Sequence, residues 1–153
     1  MLLERYGSGF NDRLNAMFSE AGLPFARELT KVPNSRRALM LAELARDRGV
    51  LDELHPRLFD AYWVQDRDLG DETVLVEEGT AVGLERDEIL AALSNAEYAE
   101  RVSEQTDAAL ELGAGGVPAW VIDERVLIPG AQPHDVFAQV LERVGHAPAS
   151  DRD

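Results

Sequence analysis

The 153-residue sequence contains no cysteine, which excludes thiol catalysis, disulfide cross-links and thiolate metal sites within this polypeptide. Lysine is almost missing as well: Lys31 is the only one, and the arginines form no basic run. Fifteen basic residues stand against 29 acidic ones, a formal net charge of −14 and a sequence pI near 4.5. Such a surface repels phosphate, so neither a nucleic acid nor an anionic membrane is an expected partner. No apolar run approaches the length of about 20 residues that a membrane span needs, and the stretch from Met1 to Gly7 is too short and too charged for a signal peptide. A cytoplasmic location is therefore the expectation. The three histidines, His55, His134 and His146, fall in different segments without metal-ligand spacing. Asp66, Asp68 and Asp71 lack the glycine and glutamate of an EF-hand and read as capping and solvation. No metal and no cofactor are expected.

What is present is helical periodicity. The length suits one domain, or one core with a helical elaboration, that folds without staples. Phe10, Leu14, Met17 and Phe18 form a helical stripe over residues 9–21, ended by Gly22 and Pro24. Asn34 precedes a second, nearly all-apolar helix through Leu44 and Ala45, stopped by Gly49 and expected to lie buried between others. Leu54, Leu58, Phe59, Tyr62 and Trp63 continue the spacing, and Pro56 places the start of the third helix near His55, since proline fits a first turn or a kink. Asp71 caps residues 72–82, with Gly83 as stop. Ile89, Leu90 and Leu93 mark a short helix, and Asn95 caps the longest, to about Leu112, with Tyr98, Val102 and Ala109 inward.

At Gly113-Ala114-Gly115-Gly116 the period breaks. This glycine run follows a helix and precedes a strand, the reverse of a phosphate-binding loop. Residues 119–122 and 125–128 are short, partly β-branched runs around Asp123-Glu124, which predicts a hairpin with a two-residue loop. Pro133 then opens an amphipathic helix carrying Val136, Phe137, Val140, Leu141 and Val144, with Gly145 as stop. Residues 146–153 read as a frayed tail.

Gly116-Val117-Pro118, leading into a strand, and Gly130-Ala131-Gln132, opening the last helix, resemble the closing half of a DsbA-type thioredoxin fold of the FrnE-like branch. The resemblance runs along nearly the whole chain in order. It includes Asn34-Ser35-Arg36-Arg37-Ala38, the stretch from Leu58 to Trp63, the turn from Arg67 to Asp71, Gly83-Leu84, and the run from Asn95 to Ala99. It implies a helix-rich α/β protein, a truncated thioredoxin-like fold. Residues 1–112 would form the helical insertion, 113–145 the ββα end, and 146–153 a flexible tail. The family's opening βαβ unit, with its C-P-x-C motif, has no counterpart in this sequence.

The family's chemistry is protein disulfide oxidoreduction, but a chain without thiols is expected to be redox-inactive alone, so no catalytic residue is assigned. The resemblance places a cis proline at Pro118, whose neighbour Val117 would pair with an extended peptide. Val117, Pro118, Trp120 and Gln132 are accordingly the candidate binding residues. A hairpin without its usual neighbouring strand has an open edge, and with Trp120 and Ile122 beside it a homodimer is the expected assembly. The functional expectations are a dimeric peptide-binding or assembly module, an oxidoreductase whose catalytic CxxC unit lies upstream or on a partner chain, a relative of glutathione-dependent isomerases, or a remnant without activity. Ser8 would be the isomerase serine, yet the segment before it is too short and polar for a buried strand.

Overall fold

The computed structural model describes residues 10–24 and 32–146, with side chains from Asn15 onward. Ser8, Lys31 and nearly all of the tail lie outside the described residues. The described part holds seven α-helices, one π-helical turn and a two-stranded antiparallel sheet. The order is α1 (Phe10–Glu20), α2 (Arg36–Arg48), α3 (Leu51–Phe59), the π turn (Asp60–Val64), α4 (Glu72–Thr80), α5 (Arg86–Ala92), α6 (Ala96–Glu111), β1 (Ala119–Ile122), β2 (Val126–Pro129) and α7 (His134–Arg143). The chain divides into two compact units, Met1–Val102 and Ser103–Asp153, with α6 running through the division. The boundary expected from the sequence lies at the C-terminal end of the same helix.

The first unit is a helical bundle around α2. Leu41, Leu44, Leu54, Leu75 and Ile89 are its largest fully buried side chains, and Ala38, Ala45, Leu58 and Leu84 close the cluster. Local chemistry sets the helix ends. The Asp71 carboxylate accepts from the Thr73 amide at 2.8 Å, and the Asn95 side chain from the Glu97 amide at 2.8 Å, each satisfying an orphan donor of a first turn. Gly49, at φ 73°, donates to the carbonyls of Ala45 and Arg46 and ends α2 in the left-handed conformation that glycine adopts without steric penalty. At the α4 to α5 crossing Gly79 lets the backbone approach closely: a Cβ there would lie 2.6 Å from Ile89 Cδ1.

Two expectations about helices change. The third helix begins at Leu51 rather than near His55, and Pro56 sits inside it. An interior proline costs about 3 kcal/mol. Burying Leu54 and Leu58 on either side of it is worth roughly 3–6 kcal/mol, so the packing carries the helix through. The second helix is buried as expected on one side, through Ala38, Met40, Leu41, Leu44 and Ala45, but Leu39 on the other side is exposed.

Among the described residues, two carboxylates are buried in this unit. Glu43 pairs with Arg46 at 3.3 Å. Glu78 is held from both sides, by Arg57 Nε at 2.9 Å and by an Arg67 guanidinium nitrogen at 2.7 Å, and Arg67 also pairs with Glu77. Arg57 precedes the π turn and Arg67 follows it, so one buried carboxylate fastens both ends of an irregular segment. Within the turn Trp63 packs on Phe18 of α1 with ring centroids 5.3 Å apart. On the outside of the bundle, Arg101 of α6 binds Asp47 of α2 at 2.9 Å and lies over the Tyr98 ring. The Arg101 hydrogen bond holds the Asp47 carboxyl below its ordinary range, and burial pushes the Tyr98 phenol up.

Candidate functional site

The second unit is built around the hairpin. After α6 the chain turns at Gly113, whose φ is 87°, and the Ala114 amide returns to the Ala109 carbonyl at 2.9 Å. A Cβ at Gly113 would lie 3.4 Å from Leu127 Cδ2, so the end of the helix comes against that residue of β2. The Val117–Pro118 peptide bond is cis, and Val117 is 96% exposed.

β1 pairs antiparallel with β2 in the register Ala119 to Pro129, Trp120 to Ile128, Val121 to Leu127 and Ile122 to Val126. The loop is three residues, Asp123 to Arg125, where two were expected, and β2 starts one residue later. The Arg125 amide still donates to the Ile122 carbonyl at 3.0 Å, and Asp123 and Glu124 adopt φ values of 51° and 54°. These left-handed conformations are those of a type I′ turn, formed here without the usual glycine. Arg125 is then spent in the loop, and the ladder shifts by one.

The register divides the hairpin into two faces. Trp120, Ile122, Val126 and Ile128 share one, and there Trp120 meets Phe137 of α7 with ring centroids 5.2 Å apart. His146, just past α7, places Nε2 2.9 Å from an Asp123 carboxylate oxygen and ties the helix end to the turn. Ala119, Val121 and Leu127 lie on the other face, where Val121 is 39% exposed.

The two edges of the hairpin differ. The Gly130 amide donates to the Pro118 carbonyl at 2.8 Å, and antiparallel alternation then makes Trp120 with Ile128, and Ile122 with Val126, the mutually bonded pairs. The amide and carbonyl of Ala119 and of Val121 consequently point away from β2, and among the described residues no strand pairs with them. On β2 the corresponding outward positions are Leu127 and Pro129. Pro129 has no N–H, and its carbonyl accepts from the Gln132 side-chain amide at 2.8 Å. Thus the Pro129 end of β2 offers no further pairing, and among the described residues no strand covers the outward groups of β1.

Of the sequence-derived candidates, Val117 and Pro118 lie at the entrance to the open edge. Trp120 is turned onto α7, and Gln132 serves the edge of β2. Sequence reasoning passed over Ala119 and Val121, whose contribution is backbone. The signal that would have found them is the alternation itself: if Trp120 faces α7, the outward amides belong to its neighbours. Among the described residues, no three or more histidine or acidic side chains converge on a metal site, and no helix is long and apolar enough to cross a membrane.

Comparison with known proteins places this geometry in a family. Residues 4–142 match the DSBA-like thioredoxin domain. The chain belongs to the DsbA-like thioredoxin family. A crystal structure of a probable DsbA oxidoreductase from Streptomyces coelicolor superposes with a TM-score of 0.83 at 29% sequence identity, over 100% of this chain and 70% of that one. No curated protein matches the sequence. The helix-rich α/β fold read from the sequence is therefore that of a DsbA-like protein, and this member has no cysteine.

Proposed function

We propose that this DsbA-like chain is a binding or assembly module, inactive in thiol exchange by itself, that receives an extended peptide along β1 next to Val117 and Pro118. Disulfide exchange needs an attacking thiolate, and the sequence supplies none. The observation that carries the reading is the asymmetry of the hairpin: among the described residues no strand pairs with the outward amides and carbonyls of Ala119 and Val121, while the end of β2 is blocked by Pro129 and Gln132. Strand addition uses main-chain hydrogen bonds for affinity and alternate side chains for selectivity.

The test is amide exchange by NMR with extended peptides added. The Ala119 and Val121 amides are expected to gain protection while that of Leu127 does not. Protection at Leu127 alone, or at neither strand with any peptide, would overturn the reading. Insulin-disulfide reduction by the pure chain would overturn the redox half of it. The same open edge favours a second reading, a homodimer in which the β1 strands of two copies pair; sedimentation equilibrium distinguishes it.

A further inference from the structure

The end of α7 is pinned by its backbone before any side chain acts. The Gly145 amide donates to the Glu142 carbonyl at 3.1 Å and the His146 amide to the Leu141 carbonyl at 2.9 Å, with Gly145 at φ 92°. These two bonds are those of a Schellman cap, which frequently seats an apolar side chain at the position held here by His146. The facing residue is fixed as well. Asp123 sits in the hairpin turn at φ 51°, and the turn is closed by the Arg125 amide on the Ile122 carbonyl at 3.0 Å. Between the two, His146 Nε2 lies 2.9 Å from one Asp123 carboxylate oxygen and 3.1 Å from the other. Surface ion pairs are usually weak, in part because two long side chains must be ordered to make them. Here both side chains are short and both backbones are already held. Glu124 and Arg125 follow Asp123, and Glu142 and Arg143 stand on the last turn of α7, but among the described residues none of them forms an ion pair with either member.

We propose that His146 and Asp123 form a pH-dependent clasp that holds the cap of the last helix to the hairpin turn. Histidine changes charge between about pH 5 and 8, a range in which ordinary carboxylates stay ionised. With the imidazole charged, the contact is an ion pair, and the charge also lies at the negative end of the α7 dipole. With it neutral, Nε2 keeps at most one N–H···O bond and both electrostatic gains vanish. A contact strengthened by protonation is fully present at the acidic end of this range and is lost as pH rises. His134, in the first turn of α7, stands at the positive end of the same dipole, where a charge works against the helix. The two histidines of this unit thus act in opposite senses, and His146 is the one bonded to the hairpin. The clasp does not involve the outward groups of β1, so it is independent of strand reception.

A double-mutant cycle in the whole chain tests this: the unaltered protein, His146→Gln, Asp123→Asn and the two together. Amide exchange at Val144 and Arg125, read by NMR and corrected for intrinsic rates, reports on the cap and on the turn. Glutamine keeps a donor without a charge that changes with pH, and asparagine tolerates the left-handed conformation of Asp123. At about pH 5.5 the two changes are expected to couple by about two- to fivefold in protection, and by about 1.5-fold or less at about pH 8. Leu75, in the helical bundle, should show no coupling at either pH. Absence of coupling at the lower pH overturns the clasp. Equal coupling at both overturns its pH dependence and leaves a plain hydrogen bond. Should Asp123→Asn open the turn, His146→Gln decides alone: the pH difference in protection at Val144 must disappear in that variant, and its persistence overturns the proposal. Loss of the difference in His134→Gln, with His146 intact, would trace it to the other end of the helix and overturn the proposal as well.

Discussion

Replacing Glu78 by glutamine keeps the shape of the side chain and removes only its charge, which makes it a direct test of how the first unit is held together. The carboxylate is 6% exposed and bonded to Arg57 at 2.9 Å and Arg67 at 2.7 Å. Breaking a buried ion pair from one side costs about 3–5 kcal/mol when the remaining charge is also buried. Here the arginine side chains are 46% and 26% exposed, so they regain water, and the glutamine oxygen still accepts one hydrogen bond. The expected loss is therefore smaller, about 2 kcal/mol. For a chain of this size that corresponds to a fall in Tm of roughly 4–8 °C. Glu77→Gln is the matched control, because Glu77 contacts the same Arg67 but is mostly exposed; its loss should be about 0–1 kcal/mol. Urea denaturation of both variants, with amide exchange at Leu75 to report on the bundle, gives the comparison. If Glu78→Gln costs no more than Glu77→Gln, the buried carboxylate does not fasten the π turn.

Gly79→Ala gains about 1 kcal/mol of helix propensity but drives a methyl to 2.6 Å from Ile89 Cδ1, an overpacking cost of about 1–3 kcal/mol. A net destabilisation is expected, and Ile89→Val, which deletes that Cδ1, should relieve it. Strict additivity of the two changes in denaturation experiments would refute the contact. Asp47, with its pKa held down by Arg101, should favour the fold above its ordinary value of 3.8 and lose that contribution as pH falls through the depressed value. Asp47→Asn is thus expected to flatten the acid limb of the stability profile; an unaltered acid limb would contradict the coupling.

Much of this protein is legible without coordinates. The missing thiol follows from composition alone. Asp71 and Asn95 were readable as caps, and Gly49 as a stop, because each acts on residues within one turn of itself. The hairpin and last helix follow from local turn chemistry and periodicity, and the order of motifs from Asn34 to Gln132 was enough to suggest the DsbA-like family that the comparisons establish. Tertiary structure decided what depends on residues meeting through space. Pro56 lies inside a helix because Leu54 and Leu58 are buried against a bundle that a local rule does not see. The hairpin register shifts by one because Arg125 closes the turn instead of opening the strand. Above all, the candidate site is a difference between two strand edges. Among the described residues one is blocked at its end by a proline and a glutamine side chain and the other is unpaired, and that difference exists only once the register has fixed which amides face outward.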